Sequence, residues 1–199
     1  VIGVTSNVRA FRRELDRQQK QANFAVALGL TRTAQDVKRD TERHIEQVFD
    51  RPTPFTKRGV FIRPARKSDA RPTAIVGIKD KQAEYLSIQQ EGGVEYPEGK
   101  AFVIPVKQRR NKYGNLPRRA VQRLLRKPNT FSGEVNGIGG IWQRTKRRGG
   151  RKLKLLIAYE QETRYSPIFG FYRNAREATI RVINRNMRRA VEEALRTRR

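Results

Sequence analysis

The sequence predicts an α+β fold: a long N-terminal helix and a C-terminal helix packed on a small, mainly antiparallel sheet, with a basic insertion. Three observations carry it. From Thr5 to Asp50 the chain is rich in Gln, Arg, Ala and Glu, with no proline and only Gly29 as an interior glycine. Short β-compatible runs broken by proline and glycine fill the middle. A second long helix-compatible stretch closes the chain. The whole reads as one domain over residues 1–199, with the insertion at 107–133.

In the first helical region, Leu30, Ala34, Val37, Thr41, Ile45 and Val48 step by fours and threes and trace one buried stripe. Lys38, Arg39, Asp40, Glu42 and Arg43 are expected on the other side. Val8, Phe11 and Leu15 make a shorter stripe before the polar stretch Asp16 to Gln21, which is expected to project from the core. Gly29 is expected to mark a bend between two helices. Pro52 and Pro54 end the region.

Gly59 to Ile62 and Thr73 to Ile78 predict a hairpin around the charged turn from Pro64 to Pro72. Gln82 to Gln90 reads as a brief helix broken by Gly92 and Gly93. Ala101 to Val106 reads as a buried strand whose Pro105 places it at an edge or end. Leu116 to Lys127 has Ala120, Val121, Leu124 and Leu125 spaced for a short amphipathic helix. Gly133, Gly137, Gly139 and Gly140 predict a loop, or a strand approached closely by another backbone. Ile141 and Trp142, then Leu153 to Tyr159, read as strands joined by a basic turn from Lys146 to Lys152. Ser166-Pro167 predicts the start of the last helix, with Phe171, Ala175, Ala178, Val182, Ile183, Met187, Ala190 and Leu195 on its buried side.

Charge narrows the function. Lys and Arg number 45 against 19 Asp and Glu, a formal net charge of +26 in 199 residues. Such a chain repels itself unless an anionic partner is near. With 36% apolar residues it still has enough to bury a core. The absence of cysteine removes disulfides and thiolate chemistry. The longest apolar run, Phe24 to Leu30, is seven residues, far short of the roughly 20 of a spanning helix, and the N-terminus does not read as a signal peptide.

Motifs for catalysis are sparse. His44, the only histidine, lies at the edge of the helical stripe with no second metal ligand beside it, and reads as structural. No G-x-S-x-G, Walker A or G-x-G-x-x-G motif occurs. Glu98-Gly-Lys100 resembles the E-x-K half of a metal-dependent nuclease site, with Asp80 as an earlier acid, but a solvated acidic loop explains it as well. The chain is expected to be no enzyme and to need no cofactor or metal.

The concentrated signal is positive charge. Between Lys107 and Lys154 sixteen Lys or Arg face one acid, Glu134, so 48 residues carry +15. Arg109, Arg110 and Lys112 open the cluster. Arg118, Arg119, Arg123, Arg126 and Lys127 continue it around the short helix. Arg144, Lys146, Arg147, Arg148, Arg151 and Lys152 close it around the basic turn. Guanidinium forks and lysine point charges suit phosphate oxygens without regard to base sequence. An acidic protein surface would satisfy the same charge. Tyr113, Phe131 and Trp142 are too few for a base-stacking platform, and Trp142 reads as core.

The order of segments also carries a resemblance: LTRTAQDVKR (Leu30 to Arg39), AEYLSIQQEGG (Ala83 to Gly93), GIGGIWQRT (Gly137 to Thr145), KLLIAY (Lys154 to Tyr159) and YSPIFGFYRNAREA (Tyr165 to Ala178). Taken in this order, from about Ala25 to Ala194, the chain resembles the tail-completion and minor tail protein Z family of tailed bacteriophages. The resemblance implies a virion subunit, assembled in the host cytoplasm, that forms a ring, of six copies in long-tailed phages or of another symmetry where the ring sits directly on a connector. Such a ring sits at the neck between connector and tail proteins and surrounds the genomic DNA in the channel, with no membrane partner. The segment from Lys107 to Gly133 departs from the family pattern. A basic RNA- or DNA-binding structural protein of ribosomal or nucleoid type is the alternative the charge allows, and a metal-dependent nuclease a distant third.

Overall fold

The computed structural model describes residues 7–147 and 150–197, apart from the side chains of Arg147 and Arg151. The fold is α+β, with a long N-terminal helix, a C-terminal helix and small antiparallel sheets. It divides into two compact units. The first holds residues up to Gln47, Pro54–Glu84 and Gly170 onward; the second holds Val48–Thr53 and Tyr85–Phe169.

In the first unit, α1 (Val8–Val48) is one continuous helix of 41 residues, about 60 Å long. The helix is not divided in two at Gly29. A Cβ there would lie 2.3 Å from Met187 Sδ and 3.2 Å from Met187 Cα, so glycine serves a close approach of the C-terminal helix α5 (Phe171–Arg196). The predicted stripe holds in its centre: Ala34, Val37, Thr41 and Ile45 are buried, while Leu30 and Val48 are half-buried. The buried hydroxyls of Thr33 and Thr41 donate back to the carbonyls of Gly29 and Val37 at 2.8 and 2.9 Å, so neither is left unsatisfied. Val8, Phe11 and Leu15 are exposed rather than packed.

The two helices run antiparallel. Gln21 Nε2 donates to the carbonyl of Ala194, Asn186 Nδ2 to Asp36 at 2.8 Å, and Asn174 Nδ2 to Asp40 at 3.1 Å. Helix α5 begins at Phe171, not at Ser166: the amides of Ile168 and Phe169 both donate to the carbonyl of Gln89 at 2.9 Å, and Gly170 is left-handed at φ 56° before the first turn. Its buried residues are Ala178, Asn186, Ala190 and Ala194, while Leu195, expected inside, is 63% exposed. The unit also contains the one-turn α2 (Pro54–Lys57) and the predicted hairpin, β1 (Val60–Arg63) paired antiparallel with β2 (Ile75–Ile78).

Helix α3 (Asp80–Glu91) begins in the first unit and ends in the second. The second unit holds two sheets. Short strands β3 (Gly93–Glu95) and β8 (Thr163–Tyr165) pair antiparallel. The larger sheet is antiparallel in the order β4-β7-β6-β5, made of β4 (Phe102–Pro105), β7 (Gly150–Glu160), β6 (Ile138–Arg147) and β5 (Thr130–Val135). Pro105 ends an edge strand, where its missing N–H costs no ladder bond. Asn136 and Gly137, at φ 52° and 76°, close the β5–β6 hairpin. Two positive φ values in a two-residue loop are what Asn-Gly supplies, and its turn matches strand twist. Gly140 is the expected close approach: a Cβ there would lie 2.2 Å from the carbonyl oxygen of Ile157.

Helix α4 (Ala120–Leu125) is shorter than the sequence predicts, because Arg119 before it is left-handed at φ 58°. It brings Leu124 into a core with Ile141, Leu156 and Ile157, against which Leu116, Val121 and Tyr159 pack. Residues 107–133, expected to be an insertion, therefore supply part of the sheet's core and end inside β5. Between Ile141 and Trp142 the β6–β7 register slips, pairing Ile141 with Ile157 but Trp142 with Leu155. The bulge lets the consecutive residues Leu156, Ile157 and Ala158 all be buried. Trp142 is core, as expected, and its buried indole N–H has no hydrogen-bond partner among the described residues.

Two measurements test the helix seam. Gly29→Leu must push α1 from Met187 and is expected to lose ~1–3 kcal/mol in a urea titration. The Asn186 hydrogen bond lowers the Asp36 pKa below its ordinary 3.8; burial opposes it, and Arg39 and Arg185 reinforce it. The folded pKa is depressed, so this contribution is complete above the unfolded carboxylate value and is lost as pH falls through the folded one. Thermal melts from pH 6 down to pH 2 should show wild type losing its advantage over Asp36→Asn in that acidic window and keeping it unchanged above.

Candidate nucleic-acid interface

The sequence-predicted cations all lie in the second unit, on three local supports. The first is the turn after β4. Asn111 Oδ1 accepts the amides of Tyr113 and Asn115 at 2.9 and 3.0 Å, and the amide of Asn111 donates to the carbonyl of Asn115 at 2.8 Å. This local bonding gives a charged segment a defined turn. Arg109, Arg110 and Lys112 are exposed along it. Arg110 donates to the carbonyl of Pro105, and the Lys112 ammonium lies 5.1 Å from the Tyr113 ring centroid.

The second support is α4. Arg118 and Arg119 precede it, Arg123 lies within it, Arg126 caps it and Lys127 follows; all five are exposed. Arg119, Arg123 and Arg126 step by four and three and so share a side of the helix. Ala120 and Leu124, one position on from Arg119 and Arg123, point to the core. Burial of the apolar pair thus fixes which way the arginines face.

The third support is the β6–β7 hairpin. Pairing with β5 ends at Gln143, beyond which the Arg144 amide still donates to the carbonyl of Asn129 at 2.7 Å, and pairing with β4 ends at Ile157, so from Thr145 and Lys152 to the turn strands β6 and β7 pair only with each other. In this ribbon Arg144 is opposite Leu153, Thr145 opposite Lys152, and Lys146 opposite Arg151. Thr145 Oγ1 donates to the carbonyl of Lys152 at 3.0 Å. The Arg144 guanidinium lies 4.4 Å from the Phe131 ring centroid, a cation–π contact that holds it at the base of the ribbon. Lys146, Lys152 and Lys154 are exposed. Arg147 and Arg151 belong to the strands, but their side chains lie outside the described residues, as does Arg148 entirely.

None of the described cations from Lys107 to Lys154 forms an ion pair with a carboxylate. Eight of the ten ion pairs found among the described residues have both partners on α1, α5 or α2. A seated carboxylate would cancel each bare cation, so what remains is a field of exposed donors suited to a polyanion. Elsewhere, His44 is half-buried on α1, and Glu98 and Lys100 are exposed in the loop between β3 and β4. Among the described residues no group of three His, Asp or Glu comes together to hold a metal ion, and no helix is long and apolar enough to cross a membrane.

Sequence reasoning missed a second set of arginines, on α1 and α5. Its signal was legible: Arg181, Arg185 and Arg189 recur every fourth residue in a helix. Compared with protein-family models, curated proteins and solved structures, the chain matches none.

Charge reversal tests the ribbon. Changing Arg144, Lys146 and Lys152 to Glu should leave the far-ultraviolet circular dichroism unchanged. The slope of log affinity for DNA against log salt should become shallower by about 3, because each phosphate contact contributes ~0.9. An unchanged slope would show that the ribbon does not meet phosphate.

Proposed function

We propose that the chain is a structural subunit of a tailed-bacteriophage neck, one copy of a ring that joins the connector to the tail and surrounds the DNA channel. The observation that carries this is the field of exposed, unpaired cations on the second unit, displayed on a turn, a helix and a two-stranded ribbon. A ring around passing DNA must attract phosphate without holding any one sequence, and backbone-directed cations do that. The fold supports the same reading: the family the sequence resembles implies a small α+β subunit with a long N-terminal helix, a C-terminal helix and a sheet, and the chain has these elements. No catalytic group is required for this role.

Exposed apolar side chains also fit an assembling subunit. Phe11, Tyr172, Ile180 and Leu195 are each more than 60% exposed. Large apolar side chains left to water on several elements are what subunit contacts would cover.

The mass of the purified protein in its native state decides between the readings. A closed ring of defined copy number, co-purifying with phage particles, is expected. A monomer bound stably to ribosomal RNA would replace the neck with the ribosomal alternative.

A further inference from the structure

We propose that the groove between α1 and α5 is a second binding strip for the phosphodiester backbone of nucleic acid, separate from the cations of the second unit. It rests on the reading of the chain as one that works beside DNA. All of its residues belong to the first unit.

Two half-buried carboxylates build the strip. Asp36 accepts from Arg39 of its own helix and from Arg185 of α5 at 3.2 Å. Asp40 pairs with Arg43 at 3.2 Å and with Arg181 of α5 at 3.1 Å. The carboxylate side chains are only 19% and 22% exposed, whereas the four arginine side chains are 54 to 71% exposed. Each carboxylate thus aims two guanidiniums outward and neutralises only one of them. A guanidinium has five N–H donors, and these bonds leave most of them free.

Arg189 and Arg196 extend the line. Both border an open groove of about 660 Å³ together with Arg32, Arg39 and Arg185, and neither forms an ion pair among the described residues. A smaller groove of about 330 Å³, bordered by Arg43 and Arg181, shares Asp36, Arg39 and Arg185 with it. Seven arginines along the two grooves face four carboxylates, Asp36, Asp40, Glu192 and Glu193, a net +3. On α5, Arg181, Arg185 and Arg189 repeat every four residues, a rise of about 6 Å per step, which makes a regular row of positive charge along one side of the helix.

An acidic protein helix could match that spacing, but helix docking relies on apolar anchors. Every residue bordering the larger groove is polar or charged. A polyanion with repeating charge and no need of an apolar seat is the better fit.

The test compares Arg189→Gln/Arg196→Gln with wild type and with the triple ribbon variant, using labelled single-stranded and double-stranded DNA of unrelated sequences. Since neither arginine holds an ion pair, the melting temperature should be unchanged. Affinity for DNA should fall about tenfold, and the salt slope should become shallower by about 2, in wild type and in the ribbon variant alike. Arg189→Lys/Arg196→Lys should keep the wild-type slope, since the charge is retained. The proposal is overturned by an unchanged slope in the glutamine variant, by a ribbon variant that no longer binds DNA at all, or by polyglutamate displacing DNA at matched charge. The neck reading fails on a different measurement, the mass of the assembled particle.

Discussion

Asp36 and Asp40 lie on the side of α1 that meets α5, each between two guanidiniums and each reached by an asparagine amide from α5. Much of the molecule depends on this seam. A chain of 199 residues with 45 cations and 19 acids cannot neutralise itself, so the placement of its carboxylates decides which surfaces are quiet and which remain charged. Here several serve helix packing. Asn186, only 4% exposed, is tolerable inside the seam because its amide donates to Asp36. Removing that carboxylate would leave a buried donor without its acceptor, which costs more than the bond itself contributes.

The seam in turn depends on small side chains. Gly29 and the alanines of α1 and α5 let the backbones approach until short polar side chains such as Asn186 reach across. With large apolar residues at these positions the helices would stand further apart, and the hydrogen bonds from asparagine to aspartate could not close. Close packing and polar pairing are therefore one design: the glycine that costs helix propensity makes room for the contacts that specify how α5 lies on α1.

Much of this was legible in the residues, and the failures have physical causes. The stripe from Ala34 to Ile45, the β1–β2 hairpin and the edge strand with Pro105 follow from periodicity and proline chemistry. Gly29 was misread as a boundary between two helices because a glycine needed for close approach and a glycine that breaks a helix look alike until the partner helix is known. The late start of α5 was hidden because Ser166-Pro167 has good capping chemistry, yet the amides that follow it are engaged by Gln89, outside the reach of local pattern. The Asn136-Gly137 turn could have been found, since Asn-Gly between strands has a known geometry. The basic segment was correct as composition, but periodicity could not reveal that its poverty in carboxylates extends to side-chain pairing. That depends on where the acids fold, and they fold mostly elsewhere.

The two basic surfaces are built by different means, and the difference has consequences for how each meets an anion. In the α1–α5 groove four guanidiniums, those of Arg39, Arg43, Arg181 and Arg185, are held by half-buried carboxylates, so their rotamers are partly fixed before any ligand arrives and less side-chain entropy remains to be lost on contact. The ribbon has no such scaffold: Arg144 rests on Phe131, but Lys146 and Lys152 stand free in solvent on a two-stranded support that is marginal by itself. Free lysines attract at a distance and let go easily, whereas pinned arginines offer directed forks. Under the proposed role beside nucleic acid, the free lysines would serve attraction and the pinned arginines alignment. Carboxylates inside a basic groove are then compatible with anion binding, because they set the direction of the charge they only half cancel.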